Sequence, residues 1–499
     1  MGGLASTYMM QGKWDKAENL GVKVMELRKE QLGKNHPEIL VAISNLASTY
    51  MNQGRWEQAE ILFKELLEAC KTSCGTDHPH TLMVMGNLAS CHQNQGRLQE
   101  AERLQEIVVE RTKIKLGPSH PSTLTAMVNL ASTYHKQGKW QQAEECLLHT
   151  IDEFRSKFGT DHPRTLTVMA NLASAYNAQG KWQEAEKLKV EVLKARKEKL
   201  GDEHPDTLGS MSALAITYSN QGRWEEAVRL YLQVIETSKQ RLGPDHAADT
   251  LETMANLAAT YAKQGKLEET EKLETEVMEI SKAMFGPEHP DTLFSIASLA
   301  VTYRDLGKLE EAEKLLVEVT EKRKLKFGMN HPDTLTGMAN LAGTYHLQAK
   351  WEQAEKLFIQ AIEGSKATFG AGHPRTLTMM ANLASTYYEQ GRLEESKKLE
   401  VQVVEERKAK LGVNHPDTLI GMSSLATTFI AQGLWDEAED MLSKAVVMME
   451  QVMGPEHPRT VQSTQKLERL RDAMEKEKRK LKKSSKFEDK FKKAIKKLF

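Results

Sequence analysis

Apolar and small residues return along this chain at helical spacing, in blocks separated by short polar turns. From Leu208, the residues Met211, Leu214, Ala215 and Tyr218 follow at +3, +6, +7 and +10, which is one face of a helix. From Trp182, the residues Ala185, Leu188 and Val192 follow at +3, +6 and +10 and predict a second helix. Gln221-Gly222-Arg223 breaks the first stripe, and Gly201 closes the second as a C-cap. His204-Pro205-Asp206 then opens the next helix, with proline in the first turn and a carboxylate at the positive end of the dipole. The unit is helix A, a tight turn, helix B and a Gly…His-Pro loop. Its marker histidines stand at 36, 78, 120, 162, 204, 246, 289, 331, 373, 415 and 457. Nine of the ten intervals are 42 residues and one is 43. A fixed period of this length predicts stacked units rather than one closed core.

The small residues predict how the helices meet. Ala47, Ala89, Ala131, Ala173 and Ala215 follow the leucine of helix A, and Ala59, Ala101, Ala143, Ala185 and Ala227 recur twelve positions on. All the tryptophans (Trp14, Trp56, Trp140, Trp182, Trp224, Trp351 and Trp435) share one column, which reads as core rather than a base-stacking platform. Eleven Leu-Ala doublets, from Leu4-Ala5 to Leu425-Ala426, give about eleven repeats over 1–456. The 43-residue interval, from His246-Ala247-Ala248-Asp249-Thr250, marks either a soft joint near 247–249 or a tolerated insertion. Residues 457–483 predict a capping helix, because Glu468 and Arg471 replace the close-packing alanine and the tyrosine. Residues 484–499 form a basic amphipathic tail. Met1-Gly2-Gly3-Leu4-Ala5 aligns with Met85-Gly86-Asn87-Leu88-Ala89, so the chain begins inside a helix A. That predicts a truncated first repeat and a longer parent protein or an internal start.

The Leu-Ala-x-x-Tyr…Ala spacing is that of the tetratricopeptide repeat. The 42-residue unit, with His-Pro-Asp-Thr-Leu, Asn-Leu-Ala and Gln-Gly-Lys-Trp motifs, resembles the kinesin-light-chain variety. It looks most like the long arrays of fungal kinesin-light-chain-like proteins, which often follow a nucleotide-binding STAND (NB-ARC) module. The resemblance covers residues 1–465. It implies an all-α, right-handed superhelical α-solenoid with a concave groove for protein partners, and it suggests cargo adaptation. The family's N-terminal heptad segment is absent from this sequence, which speaks against a motor role. A second reading is the ligand-sensing C-terminal region of a STAND-type signalling ATPase or immune receptor whose nucleotide-binding domain lies before Met1.

Charge narrows the classes. The formal net charge is −1, but residues 466–499 hold 15 Lys/Arg against 6 Asp/Glu, so the rest of the chain is acidic. An acidic body argues against nucleic-acid binding by the array. A signal peptide and a bilayer-long apolar run are both lacking. A cytoplasmic protein is expected, with a nuclear address possible through the tail. Cys74 shares the column of Leu116 and Leu200, and Cys146 that of Leu104 and Leu188, so both read as core residues. Cys70 and Cys74 are spaced for a shared metal, but two further ligands are lacking.

No phosphate loop, His-Glu-x-x-His, Gly-x-Ser-x-Gly or EF-hand motif occurs, so a non-enzymatic scaffold without cofactor or metal is expected. The histidines, one per repeat, sit too far apart to share an ion and read as loop caps. The binding candidate is the asparagine column before the Leu-Ala doublet: Asn45, Asn87, Asn129, Asn171, Asn256, Asn340 and Asn382, interrupted by Ala213, Ser298 and Ser424. By resemblance to superhelical tetratricopeptide arrays, these carboxamides hold a peptide main chain, since each offers donors and an acceptor together. The alternative is that they bridge neighbouring helices. Ser48, Ser90, Ser132 and Ser174 lie three residues on, and small residues such as Ser44, Gly86 and Ala170 lie just before. No Lys/Arg clamp accompanies them, so the expected partner is an extended, not strongly acidic segment. In the tail, Phe487, Phe491, Ile495 and Leu498 follow one another among lysines. That pattern suits an anionic membrane surface, a partner helix, a nuclear address or simple docking on the array.

Overall fold

The computed structural model describes residues 2–10, 14–32, 36–241 and 247–498, and these residues form 23 helices and no strand. The chain is an α-solenoid of helix pairs. In a typical repeat, helix A is Pro163–Ala178 and helix B is Trp182–Leu200. The chain divides into two compact units, Met1–His373 and Pro374–Phe499.

In the first unit each word of the repeated motif has a structural duty. The histidine is the N-cap. Its Nδ1 accepts the N–H two residues on, at 3.2 Å from His78 and 3.1 Å from His120 and His204. Proline fills the first helical position. The buried threonine of His-Pro-x-Thr donates to the glycine carbonyl that opens the loop, as Thr81 does to Gly75 at 2.8 Å and Thr165 to Gly159 at 2.9 Å. Gly201 takes φ +88° at the end of its helix B. Both alanine columns are buried, and the helices of a pair close together over them. The core of Leu, Met, Ile and Phe runs unbroken from Ile39 to Ala195.

The turn motif staples neighbouring repeats. Gln95 and Arg97 both donate to Glu60 in the preceding helix B, at 2.8 and 2.7 Å. Gln137 and Lys139 do the same to Glu102, Gln179 and Lys181 to Glu144, and Gln348 and Lys350 to Glu313. The cation also covers the tyrosine ring of its own helix A; the Arg223 guanidinium lies 4.0 Å from the Tyr218 centroid. Burial pushes the Glu60 carboxyl up, but bonds from Lys64, Arg97 and Gln95 outweigh it and hold the pKa down at about 2.

The first unit also touches itself across six repeats. His289 Nε2 lies 3.1 Å from the Asn52 carbonyl, His331 Nε2 3.0 Å from that of Asn94, and His373 Nε2 3.2 Å from that of Lys136. Each pair is 237 residues apart. A Cβ added at Gly54 or Gly96 would sit 2.5 or 2.3 Å from the ring of Pro290 or Pro332. Trp56 stacks on Phe327 and His331 at 4.9 and 5.1 Å.

In the second unit, helix Pro458–Leu498 covers the pair Pro416–Ala431 and Trp435–Val452 with Leu467, Leu470 and Met474. Lys466, in the asparagine column, donates to Thr427 Oγ1 at 2.7 Å and to the Ser423 carbonyl at 3.0 Å. Arg471 pairs with Glu439 at 2.7 Å. The helix runs unbroken past the expected boundary at 483/484; the tail's side chains lie outside the described residues.

The structure refines three expectations. Of the described tryptophans Trp182 is buried and the other six are half-buried, with Trp56 and Trp435 packed against the core. Their column starts helix B at the turn edge, where each ring closes the rim of the core. Cys74 is exposed and Cys146 half-buried. The Cys74 column is the last residue of helix B, where Leu200 is exposed as well. The expected joint near 247–249 falls at the start of helix Ala247–Lys263, and residues 242–246 before it lie outside the described residues. The extra residue is nonetheless absorbed in helix A itself, since Ala247–Lys263 has 17 residues where its neighbours have 16.

Candidate functional site

In the first unit successive A helices approach one another more closely than successive B helices do, so the A helices form the inner layer. The asparagine column lies on their free face. Asn45 and Asn129 are exposed, and Asn87, Asn171, Asn256 and Asn340 half-exposed. In the second unit Asn382 is exposed. Among the described residues none of these seven carboxamides makes a side-chain hydrogen bond within the chain, although the main-chain carbonyls of Asn45, Asn129 and Asn256 accept threonine hydroxyls four residues on. In the first unit helix packing sets its six carboxamides on one row without engaging them.

The flanking serines are placed beside that row but are chemically less free. Ser48, Ser90 and Ser174 donate their hydroxyls to the carbonyls of Ser44, Gly86 and Ala170, at 3.0, 3.2 and 3.1 Å. Ser132 is exposed. The serines keep acceptor lone pairs while their protons stay within the helix.

A third column, four residues before the asparagine, escaped the sequence reading. It holds Val41, Met83 and Phe294, which are 48%, 49% and 59% exposed, and Thr125 and Thr167 between them. The apolar members stand one helical turn from the carboxamides, on the same face. The signal that could have found them is an apolar residue recurring in a column that elsewhere holds Thr125, Thr167, Gly209 and Glu252, outside both core stripes.

Where Ala213 and Ser298 interrupt the row, the face deepens. A cleft of about 520 Å³ is lined by Asn256, Ala259, Glu252, Glu274, Asp291, Phe294 and Ser298, among others. A second hollow of about 300 Å³, lined by Gly209, Ser212, Ala213 and Ile216, shares Asp249 and Glu252 with it. Burial, against a bond from Thr302 and with help from Asp305, pushes Glu274 up to about 7. Burial followed by Asp249 and Asp291 raises Glu252. Among the described residues no cluster of metal-binding side chains occurs, and no helix is long and apolar enough to cross a membrane.

A curved layer of paired helices with an uncommitted polar row is the architecture of a protein-interaction scaffold. The tetratricopeptide repeat model matches residues 38–112, 84–156, 122–198, 167–240, 206–283, 249–324 and 333–409, and a second model of the same description matches 1–38 and 418–459. The chain belongs to the tetratricopeptide repeat family. Similar solved structures include TPR-like repeats of a Podosopora anserina protein named for the kinesin light chain. They are 32% identical, cover 41% of this chain and 97% of that one, and have a TM-score of 0.35. A glutamine-to-methionine variant of those repeats is 29% identical over 50% of this chain and 96% of that one, with a TM-score of 0.31. BtubC (BKLC) from P. vanneervenii is 19% identical over 46% of this chain and 92% of that one, with a TM-score of 0.40. No curated protein matches.

Proposed function

We propose that the A-helix face holds an extended polypeptide segment, with Asn45, Asn87, Asn129 and Asn171 pairing its main-chain amides and Ser48, Ser90, Ser132 and Ser174 lining its path. The observation that carries this reading is that the carboxamides stand in a row, out of the core, with no partner inside the chain. Helices in such a layer stand ~10 Å apart, and an extended chain rises about 3.3 Å per residue. Successive asparagines would therefore meet every third residue, with any sequence between. Val41 and Met83 offer apolar footholds beside the row, and Phe294 offers one at the deepened cleft. Glu252 and Asp291 disfavour acidic segments. The chain acts by binding and not by turnover; Asn256 and Asn340 extend the row within the first unit, and Asn382 holds the same repeat position in the second.

The test is a display selection of random peptides on the full chain, followed by affinity measurements on wild type and an Asn87→Ala/Asn129→Ala/Asn171→Ala variant. Loss of affinity in the variant, with little change from low to moderate salt, is expected. Equal affinities would remove the groove reading, and a collapse of binding with added salt would remove the predicted partner chemistry.

A further inference from the structure

The contact across six repeats in the first unit has two halves. One is the turn edge, where Gly54 and Gly96 at φ +67° and +76° receive the rings of Pro290 and Pro332. The other is the His-Pro edge, whose histidine Nε2–H donates to the last carbonyls of the A helix six repeats earlier. The same ring accepts its own helix's N–H at Nδ1, at 3.3 Å in His289 and 3.2 Å in His331. The cap therefore fixes the tautomer, and the Nε2 proton points outward.

Both halves recur where the first unit gives them no mate. His78, His120, His162 and His204 cap their helices in the same way. Among the described residues their Nε2 atoms bond nothing in the chain. Pro79 and Pro163 beside them are exposed. At the other edge Gly265 and Gly307 take φ +76° and +79°, like the mated glycines, yet nothing lies within 4 Å of where a Cβ would be. The proline seat is built and empty. Within the first unit no repeat lies six places beyond Gly265 or Gly307, or six places before His78, His120, His162 and His204.

We propose that a second copy of this chain supplies them, seating its His-Pro edge on the free turn edge of the first. The surface offered differs from the surface received, so the association is heterologous and does not close on a pair. It continues between chains the contact already present within one, and it is independent of the peptide groove.

Sedimentation of the full chain over a range of concentrations reads this directly. The expected result is a mass that rises with concentration from one chain, 56.2 kDa, past two without a plateau. Two variants separate the halves. Pro121→Glu/Pro163→Glu/Pro205→Glu alters the free His-Pro edge, where an acidic residue suits a helix start. Gly265→Asn/Gly307→Asn fills the proline seats with a residue that tolerates positive φ. Each variant alone is expected to stay single, and their equimolar mixture to form pairs and nothing larger. Wild type that stays single throughout overturns the proposal. So does wild type that stops at two chains, or pairing that survives in both variants alone. Circular dichroism melts of the variants confirm that a lost association is not a lost fold.

Discussion

The inner face and the turn edge of the first unit are equally periodic, yet their polar groups have opposite fates. At the turn edge the polar side chains bind the neighbouring repeat: Gln95 and Arg97 bind Glu60, and Gln137 and Lys139 bind Glu102. On the inner face the asparagines are equally regular and engage nothing in the chain. Regular recurrence therefore has two causes. One kind holds each unit to the next. The other is retained without helping the fold, and an uncommitted polar row is a reason to look for a partner.

The largest expected effect separates the two fates outright. Removing Asn87, Asn129 and Asn171 together should weaken a selected peptide roughly 100-fold, at about 1 kcal/mol for each lost pairing. The thermal midpoint should hardly move, because the carboxamides stabilise nothing internally. Titration calorimetry and a melting curve on the same sample check both halves.

At the turn edge the order reverses. Gly96→Val places a Cβ in the Pro332 ring and strains a positive φ, whereas Gly307→Val carries only the strain. Strain alone costs about 1–3 kcal/mol, so both variants should lose stability to denaturant and Gly96→Val should lose more. Equal losses would mean that the contact across six repeats stabilises nothing.

The staple should show its sign in a pH series. Glu60 is held at about 2 against an ordinary 4.5, so its contribution is present above pH 4.5 and fades as pH falls towards 2. Glu60→Gln should cost about 1 kcal/mol at pH 7, as partly shielded ion pairs do, and nothing near pH 2. The inner face holds the reverse case. Glu274, raised to about 7, favours the fold when neutral, and that advantage is lost as pH rises from 4.5 through 7. Glu274→Gln should raise the thermal midpoint slightly at pH 8 and leave it unchanged at pH 4.

Much of the fold was legible because local rules and the repeat agree. His-Pro starts, Gly stops and alanine pairs each specify the same hairpin of helices. The candidate row was legible for the same reason, as a column outside the core stripes. What escaped depends on how far each pair rotates relative to the last. No residue type announces that His289 will reach Asn52, or that Trp56 will stack against His331 as well as against its own core. The apolar column of Val41, Met83 and Phe294 escaped because threonines, Gly209 and Glu252 dilute it. Cys74 was misplaced because a leucine column at a helix end is only half a core column.

The touching of repeats six apart also bears on timing. Asn52, Asn94 and Lys136 meet His289, His331 and His373, so successive coils of the first unit touch at these points. A strand on the proposed binding face that had to pass between them would enter end-on, or wait for the coils to part. Its arrival should be slower than ordinary docking, ~10⁵–10⁷ M⁻¹s⁻¹, and once inside it should leave just as reluctantly. The array would then behave less like an open hand than like a sleeve.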